Sequence, residues 1–310
     1  MGFRCKSECF RTVAVTRNPT RGYRWYSGFM ATVITVLLVM PAGATEEAGL
    51  LWRVEGAGPK PSYLFGTIHS DDPRVNRLPE VVEQALDDSD SFTMEVLLDE
   101  KVLLQLMAVS TLPPEQSLTD LLDADLYRQT IEAMAKHGYP EAAVERLKPW
   151  VALTTLSTPQ PRGGEILDMV LFSRADGLGK RVYGLESVAE QVAVLDELPM
   201  ADQIAALRDT LQHLDKLEAV FAELYEAYLA RDLARLVELS DEHMYMGDRE
   251  IGEQLMEQLV DIRNRRMVER LQPRLREGGA FVAVGALHLP GELGLIQLLR
   301  NQGYKVLAVY

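Results

Sequence analysis

Two histidines follow short apolar runs near opposite ends of the sequence. The segments Ser62–His69 and Phe281–His288 both end in Gly-x-x-His after a run of strand length. A glycine directly after such a run favours a sharp exit from a sheet, and open α/β sheets keep their ligand sites at the carboxyl ends of strands. Neutral imidazole is the commonest protein ligand for first-row metal ions. We therefore predict that the fold brings His69 and His288 together, in a position to hold a divalent cation.

The same pattern also fits two strand-end histidines that only bond backbone groups, because a lone Gly-x-x-His is a weak motif. Glu95 favours the metal interpretation, since it lies near the end of the alternating run Phe92–Val96 and its carboxylate can point into the cleft of His69. Two histidines and a carboxylate form a recurrent ligand set that leaves positions open for water. The alternative for Glu95 is a solvent-facing side chain on an edge strand.

Glu186 and Arg263 are further candidates for chemistry. Glu186 follows the predicted strand Lys180–Leu185, where it would act as a ligand, as a general base or as an acid that orients a ligand. It would equally suit the start of the next helix. Arg263 lies one position off the face that we predict to be buried in the helix Arg249–Leu271, marked by Ile262 among others. Such an arginine either binds a substrate carboxylate or an oxyanion, or forms a surface salt bridge.

The elements around these residues predict an α/β (α+β) fold. Two βαβ-like units are indicated, each a strand, a helix and a strand: Ser62–Gly66, Leu78–Asp88 and Ser91–Val96, then Phe281–Val284, Gly291–Asn301 and Tyr304–Tyr310. A hairpin partner, Leu50–Gly56, precedes the first unit. We predict one mixed central sheet, with a large helical insertion over about residues 101–277 that forms a wall or lid.

The first 44 residues predict a signal peptide. A basic lead precedes the apolar run Phe29–Val39, and Ala42 and Ala44 fit a signal-peptidase site. The run is short for a membrane span, so residues 45–310 are expected to form a periplasmic or secreted domain with no stable span after cleavage, and an uncleaved anchor is the alternative. Both cysteines, Cys5 and Cys9, precede the cleavage point, which excludes thiolate chemistry and disulfides in that domain.

Charge and missing motifs exclude several classes of function. The formal net charge is −14, of which residues 1–44 contribute +5 and the remaining chain −19. Such acidity argues against nucleic acid and anionic membranes as partners. The sequence also lacks a Gly-x-Ser-x-Gly elbow, a Walker A loop and a His-Glu-x-x-His motif.

Taken together, several segments resemble the TraB/GumN family, which is related to the Tiki proteases. The resemblance covers nearly all of residues 45–310. The segments that carry it are Leu51–Val54, Phe65–His69, Met94–Glu95, Leu147–Trp150, Ile166–Asp168, Gly184–Glu186, Glu190–Gln191, Arg263–Asn264 and Val284–Gly291.

The resemblance implies an α/β fold in which two Gly-x-x-His motifs and a glutamate share a metal site. For Tiki-like members it implies a metal-dependent peptidase that uses Mn or Co. Residue by residue, it marks three metal ligands, His69, Glu95 and His288; two glycines of the cofactor-binding motifs, Gly66 and Gly285; and three further motif positions, Glu186, Arg263 and Asn264.

From the residues and the resemblance we predict an exported metal-dependent hydrolase whose substrate is a peptide or protein. Imidazole and carboxylate ligands suit Mn, Co, Fe or Zn. Glu186, or Glu95 should it not be a ligand, would take a proton from water, and Arg263 would stabilise the developing negative charge. One alternative is a non-catalytic periplasmic protein that binds a peptide, a metal or haem in the same cleft. Another is a structural partner in an envelope complex, with the helical region Asp120–Arg276 as its contact surface.

Overall fold

The computed structural model describes residues 48–56, 58–97, 99–244 and 257–310. The predicted signal peptide lies outside these residues. The segment Met246–Asp248, whose glycine favours a break in the helical region, lies outside them as well. Within the described ranges, no helix has the length and apolar character needed to cross a bilayer.

Six strands of the described residues form one mixed sheet in the order β4-β3-β5-β2-β1-β6. The strands are β1 Leu51–Glu55, β2 Ser62–Thr67, β3 Ser91–Val96, β4 Arg181–Glu186, β5 Ala280–Gly285 and β6 Lys305–Ala308. Strands β2, β3, β4 and β5 run parallel, whereas β1 is antiparallel to both β2 and β6. The predicted α/β class, the mixed sheet and the hairpin of β1 and β2 are therefore confirmed.

The two βαβ-like units interleave in the sheet. Strand β5, from the second unit, lies between β2 and β3 of the first and pairs with both in parallel. Residues 280–284 of β5 are all buried, and a continuous apolar run is typical of a central strand covered on both faces. This central place puts the end of β5 next to the ends of β2 and β3.

In the described residues the helices all lie between β2 and β6 in chain order. They are α1 Pro73–Asn76, α2 Glu80–Asp87, α3 Glu100–Ser110, α4 Leu118–Leu121, α5 Ala124–Lys136, α6 Glu141–Val144, α7 Pro149–Leu156, α8 Leu167–Gly177, α9 Val188–Asp196, α10 Met200–Gln212, α11 Leu214–Leu229, α12 Leu233–Met244, α13 Ile262–Glu277 and α14 Leu295–Asn301. A π-helical turn, Glu257–Asp261, leads into α13, and a 3₁₀ turn, Ala286–His288, follows β5.

Local chemistry fixes two boundaries that matter for the site. The sequence pattern over Glu141–Thr155 predicts one helix. The structure has two, α6 and α7, because Pro149 occupies the first turn of α7, where its missing N–H is tolerated. Ser187 and Glu190 form a capping box at the start of α9, a pattern that the sequence Ser-x-x-Glu favours, with the Ser187 N–H donating to Glu190 Oε2 at 2.9 Å. Helix α9 therefore begins directly after β4 and next to Glu186.

Two hydrophobic clusters hold these elements. The larger one surrounds the sheet and includes Phe92 and Phe281, whose rings stack at 6.2 Å between centroids. The smaller one lies among α3–α7, α9 and α10 around the fully buried Trp150. Val96, the last residue of β3, belongs to this second cluster. The carboxyl end of β3 therefore lies where the sheet meets the helical region.

Candidate functional site

The carboxyl ends of four adjacent parallel strands bring predicted site residues to one edge of the sheet. Thr67 of β2 pairs with Gly285 of β5, and Met94 of β3 pairs with Ala283 of β5. In the same direction, Val96 of β3 pairs with Glu186 of β4. The positions just beyond or at these ends carry His69, Glu95, Glu186 and His288.

The ring of His69 is held by a carboxylate. Its Nδ1 lies 2.6 Å from Oδ2 of Asp168, the second residue of α8, and the side chain is 10% exposed. Burial by itself lowers the pKa of His69, but the charge and the hydrogen bond of Asp168 outweigh burial and raise it above 6.5. Because a side-chain oxygen binds Nδ1, the alternative of a histidine that bonds only backbone groups does not describe His69.

His288 is held in the same way by an amide. Its Nδ1 lies 2.7 Å from Oδ1 of Asn264, and Asn264 Nδ2 donates to the Leu293 carbonyl at 2.8 Å. The ring is 2% exposed, and burial is the main reason that the pKa of His288 falls to about 4, against the attraction of Glu95. His288 is therefore neutral at pH 7, and its Nε2 carries a lone pair.

Glu95 is buried inside the sheet, so the alternative of a solvent-facing edge residue is wrong: β3 lies between β4 and β5. Its Oε1 accepts the Gly285 backbone N–H at 2.7 Å and lies 3.7 Å from His288 Nε2. Its Oε2 accepts from Arg263 at 2.6 Å and from Gln191 at 3.1 Å. Burial alone would raise the pKa of Glu95, but Arg263, His288 and His69 lower it to about 2. Glu95 is a carboxylate at neutral pH.

Arg263 joins Glu95 to Glu186 in a buried ion cluster. Its Nε donates to Glu186 Oε2 at 2.8 Å, its Nη2 to Glu95, and its Nη1 to the Leu259 carbonyl at 3.1 Å. The alternative of a surface salt bridge is therefore wrong. Of the positions predicted to mark the buried face, Leu259 is buried and Ile262 is not. Arg263 is 7% exposed, whereas Ile262 is 41% exposed.

Glu186 does not cap the following helix, because Ser187 does so. Its side chain is fully buried, and Oε1 finds no hydrogen-bond partner in the described part of the chain, with Arg266 Nη1 at 3.5 Å. Burial raises the pKa of Glu186, and the attraction of Arg263 opposes that rise.

The two motif glycines do not form the sharp exit from the sheet that the sequence predicts. Gly66 lies within β2 and Gly285 ends β5, and neither has a positive φ. A Cβ on Gly66 would lie 2.8 Å from Leu289 Cδ1 and 3.0 Å from Ala286 Cα. Gly66 therefore allows β2 to pack closely on the turn that carries His288. Gly285 contributes its N–H to Glu95.

The donor atoms fit a divalent cation in type, although they do not form a closed cage. Among the described residues, no group of three or more His, Cys, Asp and Glu side chains is arranged to hold a metal ion as it stands. However, His288 Nε2 and Glu95 Oε1 face each other as two acceptors, because the ring proton is on Nδ1 and the carboxyl is ionised. His69 lies near enough to affect the pKa of both. A cation is the partner that such facing acceptors lack.

Sequence reasoning missed Asp168 and Gln191 as site residues. Both lie in segments that carry the family resemblance, and this was the available signal. Neither stands out by spacing: Asp168 and Gln191 meet their partners His69 and Glu95 across 99 and 96 positions of the chain.

Comparison with known proteins places this arrangement in context. The model of the TraB/PrgY/gumN family matches residues 50–308. The chain is 28% identical to Metalloprotease TIKI2 of Danio rerio, over 86% of this chain and 62% of that protein. It is 28% identical to Metalloprotease TIKI homolog of Amphimedon queenslandica, over 88% and 65% of the two chains. It is 26% identical to Metalloprotease TIKI1 of Homo sapiens, over 88% and 68%.

The chain thus spans less than two thirds of the length of the TIKI2 protein. No solved structure matches it significantly.

Proposed function

The chain belongs to the TraB/PrgY/gumN family, and from that premise we propose that it is a metal-dependent hydrolase that cleaves peptides or proteins. The proposal is supported by the similarity to proteins named metalloproteases. The observation that carries it is the pair of facing acceptors, His288 Nε2 and Glu95 Oε1, 3.7 Å apart at the end of the parallel strands. His69 completes the proposed ligand set from the neighbouring strand end.

In this proposal His69, Glu95 and His288 hold the cation, which is Mn, Co, Fe or Zn by ligand type. When bound, such a cation supplies Lewis acidity, which polarises the scissile carbonyl and acidifies water. The protein contributes a rigid frame, because the second oxygen of Glu95 is held by Arg263 and Gln191. These two hydrogen bonds hold that carboxylate in one orientation.

Glu186 and Arg263 have different roles in this proposal. Glu186 accepts the proton of water at Oε1, the oxygen that finds no hydrogen-bond partner in the described residues, and burial raises the pKa of this carboxyl. Arg263 positions both glutamates, because three of its hydrogen bonds already go to Glu95, Glu186 and Leu259. We assign it this role in place of the oxyanion contact expected from the sequence. Asn264 holds His288.

The test is turnover by the purified protein. The protein is stripped with a chelator, reloaded with Mn²⁺ or Co²⁺, and incubated with a peptide library whose products are identified by mass spectrometry. Cleavage that depends on the added metal and disappears in H69A, H288A and E95Q supports the proposal. The matched control is H213A, since His213 is a partly exposed histidine that contacts Asp209.

Two outcomes contradict the proposal. Cleavage that survives both H69A and H288A removes the site assignment. Metal or peptide binding at this site with no product for any peptide favours the non-catalytic binding protein instead.

We also propose export, with cleavage of the leader near Ala44, on the strength of the sequence pattern of residues 1–44. N-terminal sequencing of the protein from the envelope and secreted fractions tests this directly. A mature N-terminus near residue 45 supports it, and an intact leader in all fractions contradicts it.

A further inference from the structure

Two helices from outside the sheet each hold one of the two rings. Asp168 of α8 bonds His69 Nδ1 at 2.6 Å, and Asn264 of α13 bonds His288 Nδ1 at 2.7 Å. The contacts are equivalent, although the partners differ in charge and come from distant parts of the sequence.

Asp168 is itself fixed in orientation. Its Oδ2 bonds His69, and its Oδ1 accepts the Thr67 hydroxyl at 2.9 Å. It is 7% exposed and is the second residue of α8, where the helix dipole favours an ionised carboxylate. A carboxylate has no hydrogen to donate, so the shared proton must be on the ring nitrogen Nδ1.

Asn264 is fixed as firmly. Its Nδ2 donates to the carbonyl of Leu293, so its Oδ1 is the atom that faces His288. An amide oxygen also accepts only, and the proton between Asn264 and His288 is therefore on Nδ1 of the ring as well.

We propose that Asp168 and Asn264 are positioning residues that lock both imidazoles in the Nδ1–H tautomer, so that each ring presents the lone pair of Nε2 to the site. The purpose of this lock rests on the proposed function, because metal ligands in proteins are held by such outer hydrogen bonds. The tautomers themselves do not depend on a metal.

Because Asp168 is charged and Asn264 is neutral, we expect them to affect metal binding by different amounts. A carboxylate behind a ligating ring raises the basicity of the opposite nitrogen, whereas an amide mainly orients the ring. Asp168→Asn should therefore keep the tautomer of His69 and weaken metal binding slightly. Asp168→Ala should free the tautomer and weaken metal binding further.

The first readout is the tautomer in the metal-free protein. Long-range ¹H–¹⁵N correlation spectra of histidine-labelled protein are recorded at a pH at which both rings are neutral, and signals are assigned with H69A and H288A. We expect Nδ1–H for both rings, a shift of His69 toward the Nε2–H form in D168A, and no such shift in D168N. N264A should shift His288 alone.

The second readout is metal affinity, measured by Co²⁺ titration. We expect D168A to bind Co²⁺ about 10–100-fold more weakly than the wild type, with D168N between the two. The matched control is D196A, because Asp196 also accepts two side-chain hydrogen bonds, from Lys148 and Trp150. D196A should change neither the tautomers nor the affinity.

The inference is overturned if the tautomers of His69 and His288 are unchanged in D168A and N264A. If D168A does not fold, the tautomer of His288 in N264A still tests the inference. If the wild type binds no Co²⁺ but the tautomers shift as expected, the positioning role of Asp168 and Asn264 is supported and the proposed metal-dependent function is contradicted.

Discussion

At the scale of single residues, Arg263 determines the electrostatics of the site. It is the cation that bonds both Glu95 and Glu186, and all three side chains are at most 10% exposed. Breaking a buried ion pair by removing one partner leaves an uncompensated charge, which is far more unfavourable than losing a surface pair. The arrangement of two glutamates therefore depends on one arginine.

We expect R263M to lower the free energy of unfolding by about 3–5 kcal/mol, measured by urea denaturation. Adding E186Q to R263M should recover part of the loss, since one buried charge is removed. The control is R235M: Arg235 pairs with Glu223, Glu238 and Glu242 at the surface, so the midpoint should hardly move. Equal losses in the free energy of unfolding for R263M and R235M would contradict the stabilising role of the buried ion cluster.

Sequence reasoning at this scale was accurate for strand ends and poor for helices. The sequence predicts that His69, Glu95 and His288 share one cleft because apolar runs mark where strands end, whereas it leaves Glu186 between this site and the start of the next helix. The burial of Arg263 was missed because periodicity assigns polar positions to the exposed face. Asp168 was given no role because its contact with His69 depends on how α8 packs against the sheet, which no local pattern encodes.

At the scale of elements, close packing of β2 against the turn after β5 sets the position of His288. Gly66 allows this approach, since any Cβ there would overlap Leu289 and Ala286. The 3₁₀ turn Ala286–His288 then carries the ring to Asn264.

We expect G66A to destabilise the protein by about 1–3 kcal/mol, because extra atoms in a tightly packed site force neighbouring groups to move. Unfolding by urea measures the loss, and Co²⁺ affinity reports any displacement of His288. G177A is the matched control, since Gly177 ends α8 with open space around its Cβ position. A G66A protein as stable as G177A would contradict the packing role.

Helix α9 is joined to α13 by Glu190, which caps α9 and bonds Arg270 at 2.7 Å. The hydrogen bond from Arg270 is the main reason that the pKa of Glu190 falls from 4.5 to about 2, and burial opposes it. A carboxyl with a lowered pKa stabilises the fold above its unfolded pKa and loses that contribution as pH falls through its folded pKa.

The difference in melting temperature between the wild type and E190Q should therefore be full at pH 7. It should shrink as the pH falls from about 4.5 to about 2. Calorimetry over this range measures it. A difference that is constant down to pH 2 would show that Glu190 acts without its charge.

The order of elements was largely predictable, because strands and helices have separate periodicities. The position of β5 between β2 and β3 was not, since it depends on pairing across nearly the whole chain. Pro149 is recognisable in the sequence as a residue that interrupts helices, but the sequence alone does not show where the helices on either side of it pack.

At the scale of the whole molecule, the site lies where the sheet core meets the helical core. Gln191 of α9 reaches the site from the helical cluster, whereas Asp168 of α8 and Gly285 of β5 reach it from the larger cluster around the sheet. A cation at this junction would therefore tie the two regions together.

We expect Mn²⁺ or Co²⁺ to raise the melting temperature of the wild type. At a metal concentration one hundred times Kd, binding adds about 2.7 kcal/mol to the free energy of unfolding. H69A and H288A should show little of this effect, and H213A should show all of it. An equal rise in all four proteins would indicate binding elsewhere, for instance to the acidic surface.

The most direct measurement is anomalous scattering from crystals of the protein grown with Co²⁺ or Mn²⁺. The account predicts one strong peak about 2.0–2.3 Å from Nε2 of His69, Nε2 of His288 and an oxygen of Glu95. A protein whose metal peaks all lie away from these three side chains, or that binds the ion through Nδ1, would contradict it.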